Sequence, residues 1–191
     1  MASDKSERAT PEDIALVKKT DDEIKAEVSV FSFDIPALKK RVRDDDPAQA
    51  FIQAHLYLDH VITRLLSEGV PVPKRLQLDR TGFTQKLQLV SALGLLHPVH
   101  IPPIKVVNAI RNKIAHQLDY VVKPEDETKL RSSLPKGTDR EDDGSQTSLA
   151  GLLRLLAVMI DVERQQRAFE RTKRSQAMAN VRVVLDGIKI D

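Results

Sequence analysis

The chain has 191 residues, of which 41% are hydrophobic and 30% charged, and a formal net charge of +2. That is enough apolar material for one domain with its own core, and it argues against a disordered chain. Cysteine is absent, which excludes a disulfide framework and any thiolate metal site; so small a net charge names no partner, and a basic surface has to come from local clustering.

Leu, Ala, Lys, Arg, Gln and Glu are plentiful, Gly numbers only 7, and no alternating pattern runs through the middle of the chain, so the expected class is all-α. The architecture predicted is an up-and-down bundle of about five helices over residues 21–175. It is flanked by a disordered N-terminal segment, 1–20, and a mobile C-terminal tail, 176–191. The N-terminal residues are polar, without the apolar run of a signal peptide. The longest apolar stretch, Leu149 to Val162, is interrupted by Arg154 and falls short of the roughly 20 residues that span a bilayer. A soluble cytoplasmic protein with no membrane partner is expected.

In chain order, a short helix is predicted over 21–30, and another turn or two from Asp34 and Pro36 to about Asp44. Asp46-Pro47 is a stronger start signal, an N-cap followed by proline at the first helical position. The segment to Ser67 carries Phe51, Ala54, Leu58, Val61, Ile62 and Leu65 at helical spacing, and Gly69 with Pro71 and Pro73 ends it. Thr81 opens a third helix, with Phe83, Leu87, Val90, Leu93 and Gly94 on one side, ended by His97-Pro98. Pro102-Pro103 opens a fourth, predicted to reach about Leu118. Pro124-Glu125-Asp126-Glu127 reads as the acidic first turn of a short helix ending before Pro135. Residues 135–147 are a polar loop expected to be mobile. A long helix is predicted from about Ser148 to Arg174, and the tail from Val181 to Ile190 reads as a lone strand or as disordered. There is no internal repeat.

The fourth helix carries the chemistry. At 100° per residue Ile104, Val107, Ile110, Ile114 and Leu118 form one apolar arc that faces the core. Arg111 stands at its edge, and Asn108, Asn112, Ala115 and His116 continue round that side. Arg111 and His116 are about 140° apart, flanking a shallow arc with Ala115 as a low floor that a phosphate can approach. Asn112 and His116 are i and i+4 neighbours, so the amide is expected to orient the ring. The bland alternative for the same residues is an exposed, inert His and a snorkelling Arg.

Other features compete. His55 and Asp59, four residues apart, could contribute to a metal site, with His60 nearby, but a third convincing ligand is missing. His97 and His100 read as turn residues. In the last helix Arg164, Arg167, Arg171 and Arg174 recur on one face; that stripe could track an RNA backbone or be a solvated charged face aided by Glu163 and Glu170. Aromatic residues are only 4% and Trp is absent, so a base-stacking platform is not expected. The proline-rich connection before the fourth helix is unlike the short turn of a helix-turn-helix.

The run Arg111-Asn112-Lys113-Ile114-Ala115-His116 resembles the signature of the HEPN superfamily: Arg, a polar residue that is commonly Asn, a few further residues, then His. The resemblance covers roughly residues 46–175, and its specific part is the motif in its apolar-helix context. It implies a small helical bundle acting as a homodimer, with two Arg/His pairs facing across a cleft. It further implies a metal-independent endoribonuclease needing no cofactor, of a kind found in toxin–antitoxin and defence systems. Arg111, Asn112 and His116 would be catalytic, and Asn108, Arg164, Arg167 and Arg171 are the candidates for substrate binding. An antitoxin or regulatory protein is a further expected partner. One toxin subgroup carries Tyr two residues after the His, where a partner nucleotidyltransferase modifies it. That position is Leu118 here and the nearest tyrosine is Tyr120, so that route of regulation is not assumed. Other members have lost activity, and the alternative is a non-catalytic helical regulator or interaction module resembling the mannitol-operon repressor group.

Overall fold

The computed structural model describes residues 8–139 and 145–188. The class is all-α. Among the described residues there are eight α-helices, where the sequence predicted about five: α1 (Pro11–Lys18), α2 (Asp21–Val28), α3 (Ile35–Arg41), α4 (Pro47–Gly69), α5 (Phe83–Ala92), α6 (Ile101–His116), α7 (Pro124–Ser133) and α8 (Leu149–Leu185). The chain divides into two compact units, residues 31–164 and a smaller one built from the two ends, residues 1–30 with 165–191.

The larger unit is organised on α4. Asp46 caps it, its Oδ1 accepting from Gln49 N–H at 3.0 Å, and Pro47 presets the first turn. Phe51, Ala54, Leu58, Val61, Ile62, Leu65 and Leu66 form its wholly buried face. They share one core with Leu87 and Val90 of α5, Ile104, Val107 and Ile110 of α6, Leu130 of α7, and Leu152, Leu153, Leu156 and Ile160 of α8. Each fully buried aliphatic side chain of this kind is worth about 1.5–3 kcal/mol relative to exposure.

Three boundaries differ from expectation. Thr81 is not the start of α5: its hydroxyl donates to the Leu76 and Gln77 carbonyls, and Gly82 is the N-cap. The far end of α5 comes at Ala92, well before His97. Gly94 takes a left-handed conformation (φ 62°), Leu95 N–H donates to Val90 C=O at 2.9 Å, and Gly94 N–H to Ser91 C=O at 3.2 Å. This is a Schellman ending, with glycine at the left-handed position that closes the helix. α6 stops at His116, so Leu118 lies beyond the helix and is fully exposed instead of continuing the apolar arc.

The smaller unit corrects two expectations of disorder. Within 1–20, Thr10 caps α1 in a reciprocal box with Asp13, with Pro11 in the first turn. Within 176–191, α8 continues as helix to Leu185. Gln176, Ala179 and Val183, spaced three and four apart, are its buried face. Gln176 Nε2 donates to the Leu16 and Lys19 carbonyls at 2.9 and 2.7 Å, Lys173 Nζ meets Asp21 at 2.6 Å, and Arg182 meets Asp13 at 2.8 Å. These contacts explain why a segment without apolar density is helical: its polar groups satisfy the ends of α1 and α2. Of the predicted mobile loop 135–147, residues 140–144 lie outside the described residues; before them Thr138 turns back onto the Pro135 carbonyl at 2.6 Å. No helix is long and apolar enough to cross a membrane.

Candidate functional site on α6

Ile104, Val107 and Ile110 anchor α6 in the core, which turns its opposite side outward. Arg111 and Asn112 are half-buried at the edge, and Ala115 and His116 are exposed. Arg111 Nη1 donates to Asn112 Oδ1 at 3.2 Å. The amide is therefore engaged with the guanidinium and not, as expected, with His116. The His116 ring occupies the last helical position, and no described residue hydrogen-bonds to it.

The charge pattern round α6 is asymmetric. Lys113, on the other side from this edge, is neutralised: its ammonium meets Asp126 Oδ1 at 3.3 Å and lies 5.4 Å above the Tyr120 ring. Burial opposes charge on Asp126, but hydrogen bonds from the Tyr120 hydroxyl, Lys123 N–H and Lys113 prevail, and its pKa lies below the ordinary carboxylate range. Lys105, Arg111 and His116, by contrast, have no carboxylate partner among the described residues. Helix rise places Lys105 roughly 9 Å and His116 roughly 7.5 Å from Arg111 along the axis, on either side of it. Tyr120 is thus a buttress of α7's first turn, its hydroxyl donating to Asp126.

Sequence reasoning missed what lies beneath Arg111. His55 of α4, 7% exposed, donates from Nε2 to Asn108 Oδ1 at 3.1 Å and packs against Phe83, the ring centroids 4.2 Å apart and the planes tilted by 44°. Burial lowers the His55 pKa, the Asn108 hydrogen bond opposing and the Arg111 charge reinforcing the shift, so the ring is neutral at pH 7. With Oδ1 held, the Asn108 amide N–H₂ points toward Thr84 Oγ1, 3.5 Å away. Asp59, the expected companion of His55, faces Lys86 instead, at 2.9 Å, and Lys86 also reaches Thr63 at 3.0 Å. His60 Nε2 donates to the Ser32 carbonyl at 2.9 Å. Among the described residues no trio of His, Asp or Glu is placed to hold a metal ion. The signal for His55 was present: it follows Phe51 by four residues and belongs to the buried face of α4.

His97 and His100 do more than turn the chain. His97 accepts from Val99 N–H at 3.2 Å and donates its own backbone N–H to Glu163 at 2.6 Å; His100 Nε2 lies 3.5 Å from Glu163. The expected arginine stripe does not hold together. Arg164 is buried, 5% exposed, and bonds Asp161 at 2.8 Å and Glu68 at 3.3 Å, so it is an internal ion pair and not an RNA contact. Arg167 meets Glu170 at 3.5 Å, Arg171 is half-buried and Arg174 is exposed. These three belong to the smaller unit.

No family model matches the chain, and neither a curated protein nor a solved structure does.

Proposed function

We propose that the chain is a metal-independent endoribonuclease of HEPN type, with Arg111 and His116 as its catalytic pair and Asn112 as the residue that fixes the guanidinium. The observation that carries the reading is that three basic groups of α6, Lys105 and His116 on its exposed side and Arg111 at its half-buried edge, have no carboxylate partner among the described residues, although acids elsewhere pair with Lys86, Lys113, Arg131 and Arg164. An uncompensated guanidinium and an exposed imidazole on one helix are the two groups suited to a phosphodiester.

In this reading His116 takes the proton from a ribose 2′-hydroxyl, the 2′-oxygen attacks phosphorus, and the 5′-oxygen leaves with a proton from a second imidazole. The product carries a 2′,3′-cyclic phosphate. Arg111 stabilises the charge that builds on the phosphoryl oxygens. One ring cannot serve as acid and base in the same step, so the proposal includes a homodimer that brings a second His116 to the cleft. The larger unit would be the up-and-down bundle of the family, and the protein a cytoplasmic effector restrained by an antitoxin or regulatory protein. Because Leu118 occupies the position of the modifiable tyrosine and Tyr120 is tied to Asp126, restraint by tyrosine modification is not part of the proposal.

One observation favours the second reading, a non-catalytic regulator resembling the mannitol-operon repressor group: no described residue orients the His116 ring. The test is cleavage of a mixed RNA pool in EDTA by wild type and by His116→Ala. Loss of cleavage with an unchanged melting temperature supports the nuclease. Equal rates would remove His116 from the mechanism.

A further inference from the structure

A groove of about 590 Å³ runs between α5 and α6, lined by Thr84, Gln88 and Ser91 on one side and by Ile101, Lys105 and Asn108 on the other, with Leu87 also lining it. Its size is that of a small-molecule site. Its chemistry is specific in three respects. It offers two carboxamides, two hydroxyls and an ammonium, and no carboxylate lines it. Lys105 has no acidic partner among the described residues. The Asn108 amide is preset, because the neutral His55 ring holds Oδ1 and leaves N–H₂ on the groove side. That is an arrangement for a neutral, hydrogen-bonding planar ligand attached to an anion. The groove shares Asn108 with the polar edge of α6, and Arg111 follows one helical turn further on.

We infer that this groove is a binding subsite for a ribonucleoside phosphate, the nucleotide adjoining the phosphodiester held at Arg111. Asn108 and Gln88 engage the edge of the base, the Thr84 and Ser91 hydroxyls the base or the sugar, and Lys105 the phosphate. With no aromatic side chain lining it, the groove reads base edges and not stacked faces. The inference rests on the ribonuclease reading for the scissile phosphate, but the groove's chemistry stands apart from cleavage and is tested apart from it.

The experiment titrates adenosine 3′-monophosphate and uridine 3′-monophosphate, and inorganic phosphate as a control, into ¹⁵N-labelled full-length protein. The expected result is saturable movement of the Asn108 and Gln88 side-chain amides and of the α5 backbone, absent with inorganic phosphate. Lys105→Gln and Gln88→Ala, both at exposed positions, keep the melting temperature and weaken the nucleotide by about tenfold or more. In RNA cleavage by the same variants, KM rises more than kcat falls, because the lost contact is made equally in ground and transition states. Shifts confined to other residues, the same shifts with inorganic phosphate, or wild-type affinity and KM in both variants would overturn the subsite. Nucleotide binding in the groove by a protein that cleaves nothing would uphold the subsite and remove the nuclease. Cleavage with unchanged KM in both variants would do the reverse.

Discussion

Arg164→Ala separates an RNA-binding stripe from an internal ion pair. The guanidinium is buried and bonds Asp161 at 2.8 Å and Glu68 at 3.3 Å; Asp161 is itself fully buried and also accepts from Ser32 N–H at 3.2 Å and Ser32 O–H at 2.6 Å. Burial disfavours the Asp161 carboxylate, but hydrogen bonds from Arg164 and Ser32 hold its pKa below the ordinary value. Removing the cation leaves that carboxylate buried and short of its main partner, a change that costs about 3–5 kcal/mol. For a protein of this size each kcal/mol moves the melting temperature by about 2–4 °C, so the expected fall is roughly 6–20 °C. The assay is thermal melting followed by circular dichroism, with urea unfolding as a second measure. Asp161→Asn combined with Arg164→Met should recover much of the loss, because both charges leave together. A melting temperature within about 2 °C of wild type for Arg164→Ala would refute the buried-pair account.

Three further outcomes follow from the same contacts. Tyr120→Phe removes a donor from Asp126, which is 3% exposed, and should cost about 1–3 kcal/mol in urea unfolding; a change near zero would mean that the Asp126 carboxylate does not need that hydroxyl. Burial sets both His55 and His100 below the ordinary histidine pKa, outweighing Asn108 for the first and Glu163 for the second, so the unfolded chain takes up these protons first. Stability should be full above the unfolded value of about 6.5 and decline as pH falls below it, by at most about 1.4 kcal/mol per pH unit for each ring. Urea midpoints between pH 5 and 8 check this, and a His55→Gln, His100→Gln variant with an unchanged slope would show that other groups set it. Arg171→Ala, at a half-buried arginine of the smaller unit, should leave cleavage unchanged if catalysis resides on α6; loss of cleavage with a wild-type melting temperature would bring the α8 stripe back into the site.

The helices of the larger unit were legible because their signals are local and strong. Asp46-Pro47 caps α4, and the apolar spacing from Phe51 to Leu65 marks the face that is buried. α1 was legible too and was passed over: Thr10-Pro11-Glu12-Asp13 is a capping box with proline in the first turn, which the surrounding charge density obscured. The last stretch of α8, beyond the predicted end at Arg174, was not readable from hydrophobicity, since Gln176 binds through polar contacts to residues about 160 positions away in sequence. On α6 the motif's helix and its apolar anchors could be read directly. The pairing of Asn112 with Arg111, and the support of Asn108 by His55, depend on side-chain geometry and on a neighbour 53 residues away, which no periodicity encodes. Arg164 misled for a related reason: helical spacing places a residue on a face but does not say whether that face meets solvent or Asp161 and Glu68.

The most direct test of the central claim is the chemistry of the RNA ends. Wild type and the Arg111→Ala, His116→Ala double variant are incubated with a mixed RNA pool in EDTA, and the 3′ termini are analysed. Wild type should leave 2′,3′-cyclic phosphate ends, and the double variant should leave the RNA intact at an unchanged melting temperature. Intact RNA with wild type, shown to be dimeric under the same conditions, would contradict that claim and leave the non-catalytic regulator as the better reading.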